Sequence, residues 1–147
     1  MRTYLEILSE GTDSLKKMIT DGKRMDIQFN GKSSENGWKI SIQGKNIEDI
    51  FYLVDILYDY LRKNNITFKV ATDRRISHPN KEQSKKVMTI YNPDGMDVYD
   101  LAEKLYKLTK KYKGWYNIKT PTSYEHYAGG LYIRNDRTDS GRYIPAN

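Results

Sequence analysis

One stretch limits what this chain can become. An amphipathic helix over about Asn46–Lys63 is held between two strand-like runs, Trp38-Lys39-Ile40-Ser41-Ile42 and Ile66-Thr67-Phe68-Lys69-Val70. In the helix, Ile47, Ile50, Val54, Leu57 and Leu61 recur at intervals of three and four, and Phe51, Leu53, Tyr58 and Tyr60 widen the stripe. Asn46 is placed to cap it, and Glu48 and Asp49 suit the positive end of its dipole. A helix with so wide an apolar side must cover a sheet face. The two runs alternate and supply that face: Trp38, Ile40 and Ile42 share one side of the first, Ile66, Phe68 and Val70 one side of the second. A third strand, Val87-Met88-Thr89-Ile90-Tyr91, follows.

The opposite sides carry Lys39 with Ser41, and Lys69 with Thr67 and Ala71. A lysine in a half-buried strand must keep its ammonium solvated or paired. Lys39 follows Trp38 and Lys69 follows Phe68, on strands that read as sheet neighbours, so together they predict a site for an anion. The plain alternative is two lysines snorkelling on the solvent side of the sheet.

Before this unit, residues Arg2–Asp21 read as one or two short helices interrupted at Gly11. Arg24–Asn30 alternates as a strand, and the turn-rich segment after it predicts a hairpin with Trp38–Ile42. After Ala71, Asp73–Lys86 has no apolar period and reads as a mobile basic loop containing Arg74, Arg75, Lys85 and Lys86. Asp97 opens a second amphipathic helix on Val98, Leu101, Ala102, Leu105, Leu108 and Tyr112, whose outward side carries Lys104, Lys107, Lys110, Lys111 and Lys113 as a solvated face. Gly130–Arg134 is the last strand, followed by a polar tail with Arg137 and Arg142; the plain alternative for these arginines and Arg134 is surface pairing with Asp136 and Asp139. The expected fold is one α+β domain: a mostly antiparallel sheet with two main amphipathic helices on one face.

Composition removes several functions. With no cysteine there is no disulfide framework and no thiolate chemistry. Two histidines, His78 and His126, make a dedicated metal centre improbable, and no cofactor is expected. The net charge of +6 favours acidic partners: nucleic acid, nucleoprotein or a phosphorylated protein. Apolar content of 37% makes a lean core, which 13 tyrosines supplement. No apolar run reaches the ~20 residues of a membrane span, and the N-terminus turns acidic too early for a signal peptide. Location in a cytoplasm follows, the producer's or a host's.

The order Gly37-Trp38-Lys39, helix, Phe68-Lys69-Val70, Lys86-Val87-Met88-Thr89-Ile90-Tyr91 resembles the N-terminal domain of class III lanthipeptide synthetases. That domain is similar to the type III-secreted phosphothreonine lyase effectors. Tyr132–Arg134 and Ser140-Gly141-Arg142 resemble the late arginine-bearing segments of those effectors, so the likeness covers about residues 37–142. It implies a β-elimination of phosphate from phosphoserine or phosphothreonine, with Lys69 as base and Lys39 stabilising the leaving phosphate. Arg74, Arg75, Lys85, Lys86, Arg134 and Arg142 would complete the anion clamp. The family's general acid, a histidine two residues after the first lysine, is Ser41 here. A serine hydroxyl is too weak an acid for that role at neutral pH.

The leading expectation is therefore a small basic binding protein on a lyase-like fold. It would be a phage or mobile-element inhibitor of host defence, anti-CRISPR-like, acting through a Lys/Arg surface on a nucleic-acid or nucleoprotein partner. The alternative is a phosphothreonine/phosphoserine lyase that keeps Lys39 and Lys69 as catalytic groups. A third reading is an acidic-protein binder with an exposed tyrosine patch over Tyr112–Tyr132. The lyase-derived readings require Lys39, Lys69, Arg134 and Arg142 to meet in one hollow.

Overall fold

The central helix finds the sheet face that its stripe requires. The structure, a computed structural model, describes residues 4–31, 36–112, 121 and 123–136. In chain order its elements are α1 (Tyr4–Asp21), β1 (Asp26–Phe29), β2 (Trp38–Gln43), α2 (Ile47–Lys63) and β3 (Phe68–Ala71). Then come α3 (Asp73–Ile76), α4 (Lys81–Ser84), β4 (Lys86–Tyr91), α5 (Val98–Thr109), β5 (Glu125–Ala128) and β6 (Leu131–Asn135). The strands form one antiparallel sheet in the order β1-β3-β4-β2-β6-β5. On its apolar face α2 covers β3 and β4, α5 covers β2 and β6, and α1 packs beside α2. The architecture is α+β, as the pattern predicts. Among the described residues no helix is long and apolar enough to cross a membrane.

Local chemistry sets the boundaries. Asn46 Oδ1 accepts from the Asp49 N–H at 3.0 Å, which caps α2. Asn65 stops the chain beyond its far end with a left-handed φ of 54°. Asp97 caps α5 by accepting from the Tyr99 and Asp100 N–H groups. Asn30, also left-handed, binds β1 to the end of α2: its Nδ2 donates to the Leu61 and Ile66 carbonyls at 3.0 and 2.9 Å.

Four expectations are corrected. α1 is one continuous helix through Gly11. β1 and β2 are not a hairpin: β1 pairs only with β3, because Phe29 stacks on Phe68 at 5.0 Å with Tyr58 edge-on at 5.4 Å. β2 and β3 are not neighbours, since β4 lies between them. The stretch from Asp73 to Lys86 is not a bare loop; it contains α3 and α4, and Asn80 caps the latter by accepting from the Gln83 N–H at 3.1 Å.

A bulge in β4 decides where one cation points. Ile42 stands opposite Met88 but Gln43 opposite Lys86, so Val87 is an extra residue on β4. Strict alternation would put Lys86 on the apolar face; the bulge turns it to the polar one. Gly44 makes room for this, since a Cβ there would meet Val87 Cγ2 at 2.9 Å and Asp49 Cβ at 3.0 Å.

Edge strand β5 is strapped to α5 by two tyrosine–glutamate bonds of opposite sense. Tyr99 of α5 donates to Glu125 at 3.2 Å, and Tyr127 of β5 donates to Glu103 of α5. The bond to the Glu103 carboxylate, helped by partial desolvation, pushes the Tyr127 phenol up to about 12.

Two measurements follow from these contacts. Gly44→Ala should lower stability by about 1–3 kcal/mol in urea unfolding, because neither neighbour is a flexible chain end. In a spectrophotometric alkaline titration Tyr127 should ionise late, and Glu103→Gln should bring it back toward ~10. Because the folded pKa is raised, the stabilisation from this bond is complete below the ordinary phenol pKa and is lost as pH climbs through about 12.

Candidate functional site

The face of the sheet away from the helices is polar. One row crosses all six strands: Gln28 faces Lys69, Lys69 faces Thr89, Thr89 faces Ser41, Ser41 faces Tyr132, and Tyr132 faces His126. In the next row Lys39 stands between Tyr91 and Arg134. Lys39 and Lys69 thus share a face but not a strand pair. About 10 Å of sheet, two strand spacings, separates their backbones.

The cations gather around Tyr124. Its ring has Lys86 Nζ at 5.0 Å, Lys39 Nζ at 5.8 Å and Arg134 Cζ at 5.9 Å. Lys39 and the partner of Lys86, Gln43, lie two residues either side of Ser41. Asp136 pairs with two of these cations: its Oδ2 lies 2.9 Å from Lys39 Nζ, and its Oδ1 lies 3.2 Å from Arg134 Nε. The second contact has the distance of an ion pair without hydrogen-bond alignment. All three side chains are largely buried: 14% of Lys39, 3% of Arg134 and 13% of Asp136 is exposed. Beneath them Ser41 Oγ and Gln43 Nε2 are buried without a hydrogen-bond partner.

The other residues singled out in the sequence disperse. Lys69 holds its ammonium 5.6 Å from the Tyr91 ring. Arg75 is a structural tie: its Nε and Nη2 grip Asp26 at 2.8 and 2.6 Å, and its Nη1 donates to Gln83 at 3.0 Å. Arg74 is exposed and donates from Nε to the Gly22 carbonyl at 2.9 Å. Lys85 is half-buried at the end of α4, and its carbonyl accepts from the Gly44 N–H. Arg142 lies outside the described residues. So Lys39, Lys86 and Arg134 come together, Lys69 stands nearby on the same face, and Arg74 and Arg75 are elsewhere.

The histidines do not replace the missing acid. His78 Nδ1 accepts from the Asn80 N–H at 3.0 Å in the α3–α4 segment. His126 belongs to the polar row, but Tyr132 separates it from Ser41, and its Nε2 bonds the Gly129 carbonyl at 2.8 Å. The tyrosine patch fares little better: Tyr124 and Tyr132 are buried, and Tyr112 and Tyr127 are half-buried. Tyr116 lies outside the described residues.

Sequence reasoning offered Asp136 only as a surface partner for the late arginines, not as a largely buried partner of Lys39, and it missed Tyr124; these two residues organise the cluster. Asp136, two positions after Arg134, offered a weak signal; Tyr124 offered none, being one of 13 tyrosines. Four exposed cations line α5 and the turn after it. Lys104 and Lys107 of α5 and Lys110 and Lys111 just beyond its end are exposed, and Lys113 lies outside the described residues; Lys107 has Glu103 at 3.8 Å, and Lys104 lies 5.6 Å from the Tyr60 ring.

With this geometry in hand, comparison adds no identity: no family model matches the chain, and no curated protein does.

The cluster makes a stability prediction that separates its parts. Asp136→Ala removes the carboxylate that pairs with Lys39 and Arg134, both largely buried, and should cost about 3 kcal/mol or more in chemical denaturation. Ser41→Ala removes a hydroxyl that bonds nothing and should be neutral or slightly stabilising. A large loss on Ser41→Ala would show that the hydroxyl has a role this geometry lacks.

Proposed function

We propose that the protein is a small, non-catalytic binding protein that takes an acidic macromolecule, a nucleic acid or a nucleoprotein, on an exposed basic surface. Its mode of action would be that of an anti-CRISPR-like inhibitor carried by a phage or mobile element. The supporting observation is the direction of the charges. Lys39 and Arg134, which a lyase would offer to a phosphate, are turned inward onto Asp136. Ser41, where the lyase-like domains place their acid, is sealed beneath them. The cations of α5 point to water, where a polyanion can reach them. A chain of net charge +6 draws such partners by its field and by release of their counterions.

A phosphothreonine/phosphoserine lyase is the second reading, favoured by one observation: Lys69 shares the polar face with Lys39, Lys86 and Arg134. In it Lys69 removes the α-proton, and the electron pair forms the alkene while the C–O bond to phosphate breaks. The departing phosphate would have to displace Asp136 and would find no positioned acid. A product lighter than the phosphopeptide by phosphoric acid would restore this reading over the first.

Binding to labelled DNA, measured by fluorescence anisotropy across a salt series, tests the main proposal. Four lysine–phosphate contacts predict a slope of log K against log salt of about −3. Lys110→Ala with Lys111→Ala should reduce its magnitude by about 1–1.5. Binding indifferent to salt, or none at low salt, overturns the proposal.

A further inference from the structure

We infer that the seam between α2 and α5 is an interface for single-stranded nucleic acid, which rests on the polyanion binding proposed above and specifies its surface and ligand class. The two helices run antiparallel. Tyr52 stacks on Tyr112 with ring centroids 4.7 Å apart, and eight residues further along α2, Tyr60 meets Lys104, eight residues back along the chain. Along the seam α2 contributes the stripe Tyr52, Ile56 and Tyr60, α5 contributes Lys104 and Leu108, and the turn after α5 contributes Lys111. One wall is therefore aromatic and apolar, the other mostly cationic.

Two of the acidic groups flanking this seam have partners elsewhere, while Asp59 of α2 and Asp100 of α5 are exposed near its ends. Asp55 of α2 turns toward α1, where it pairs with Lys16 Nζ at 2.6 Å. Phe51, on the same flank, lies under that ammonium at 5.7 Å. On α5, Glu103 turns toward β5 and accepts from Tyr127. Toward the Tyr112 end of the seam, Lys111 stands beside open apolar surface. Tyr52 is 39% exposed and Leu108 is 37% exposed, so two of the largest exposed apolar side chains of the described residues lie in this one seam.

This combination discriminates between polyanions. A duplex presents phosphates to such a surface but keeps its base faces stacked on one another. A single strand presents phosphates to the lysines and free base faces to the outer side of Tyr52, which Tyr112 backs and holds in place. The Tyr52–Tyr60 interval, about 12 Å along the helix, spans three to four nucleotides at ~3.4 Å per stacked base.

The test uses the full chain with three probes: a labelled oligothymidine, a hairpin duplex of equal phosphate number, and a polyglutamate peptide. The single strand should bind about tenfold tighter than the duplex. Tyr52→Ala should weaken the single strand by about tenfold, leaving its salt slope and duplex binding unchanged. Tyr52→Phe should retain affinity, and Tyr52→Leu, which preserves apolar packing on Tyr112, should lose it like alanine. Circular dichroism confirms that each variant is folded. Equal or tighter duplex binding, preference for the peptide, or an unaffected Tyr52→Leu variant overturns this inference while leaving the broader proposal intact. Failure to bind any probe in a salt-dependent way overturns both.

Discussion

Burial of the α2 stripe on β3 and β4 is the contact on which the rest depends. Ile50, Leu53, Val54, Leu57 and Leu61 are each at most 1% exposed, and they meet Phe68, Val70, Met88 and Ile90 from the sheet. At about 1.5–3 kcal/mol for each fully buried aliphatic side chain, these five contribute on the order of 10 kcal/mol as an upper bound. A buried ion pair, by contrast, nets close to zero against a well-packed apolar pair. The helices therefore hold the sheet, and the polar face inherits its layout from that commitment. Once Phe68 and Val70 face α2, alternation sends Lys69 the other way, and the same holds for Lys39 opposite Ile40.

The polar face then solves a problem of its own. Three cations arrive on neighbouring strands, and only Asp136 among the described carboxylates is seen to pair with two of them. Tyr124 supplies a π face to all three. The arrangement looks like an anion site and behaves like a buried polar core. Its own carboxylate sits between Lys39 and Arg134, where an external oxyanion would have to go. That is why the proposed binding is placed on the outer side of the helical layer, where Lys104, Lys107, Lys110 and Lys111 are exposed.

Much of the fold was legible because its signals are local. The α2 stripe, the Asn46 cap, the Asp97 cap and the alternation of β2, β3 and β4 are written in spacings of two, three and four residues. Pairing was not. Which strand lies beside β1 depends on Phe29 finding Phe68 and Tyr58 across some 30–40 residues of chain. β5 escaped notice because Glu125-His126-Tyr127-Ala128 has little apolar content and is fastened mainly by hydrogen bonds to β6 and α5. The short helices between β3 and β4 escaped for the same reason: they bury no stripe, so they leave no period.

By itself, the sequence determined the class of fold, the helix-facing residues of β2 and β3, and the presence of Lys39 and Lys69 outside the apolar core. These follow from backbone periodicity, which acts within a few residues. Tertiary structure alone decided that β4 separates Lys39 from Lys69, that the Val87 bulge delivers Lys86 to the polar face, and that Asp136 occupies the gap between two cations. It also decided that Tyr52 and Lys104 line one seam. The physical reason is that charge and stacking act over a few ångströms of space, and residues distant along the chain become neighbours only when the apolar layer between helices and sheet has closed.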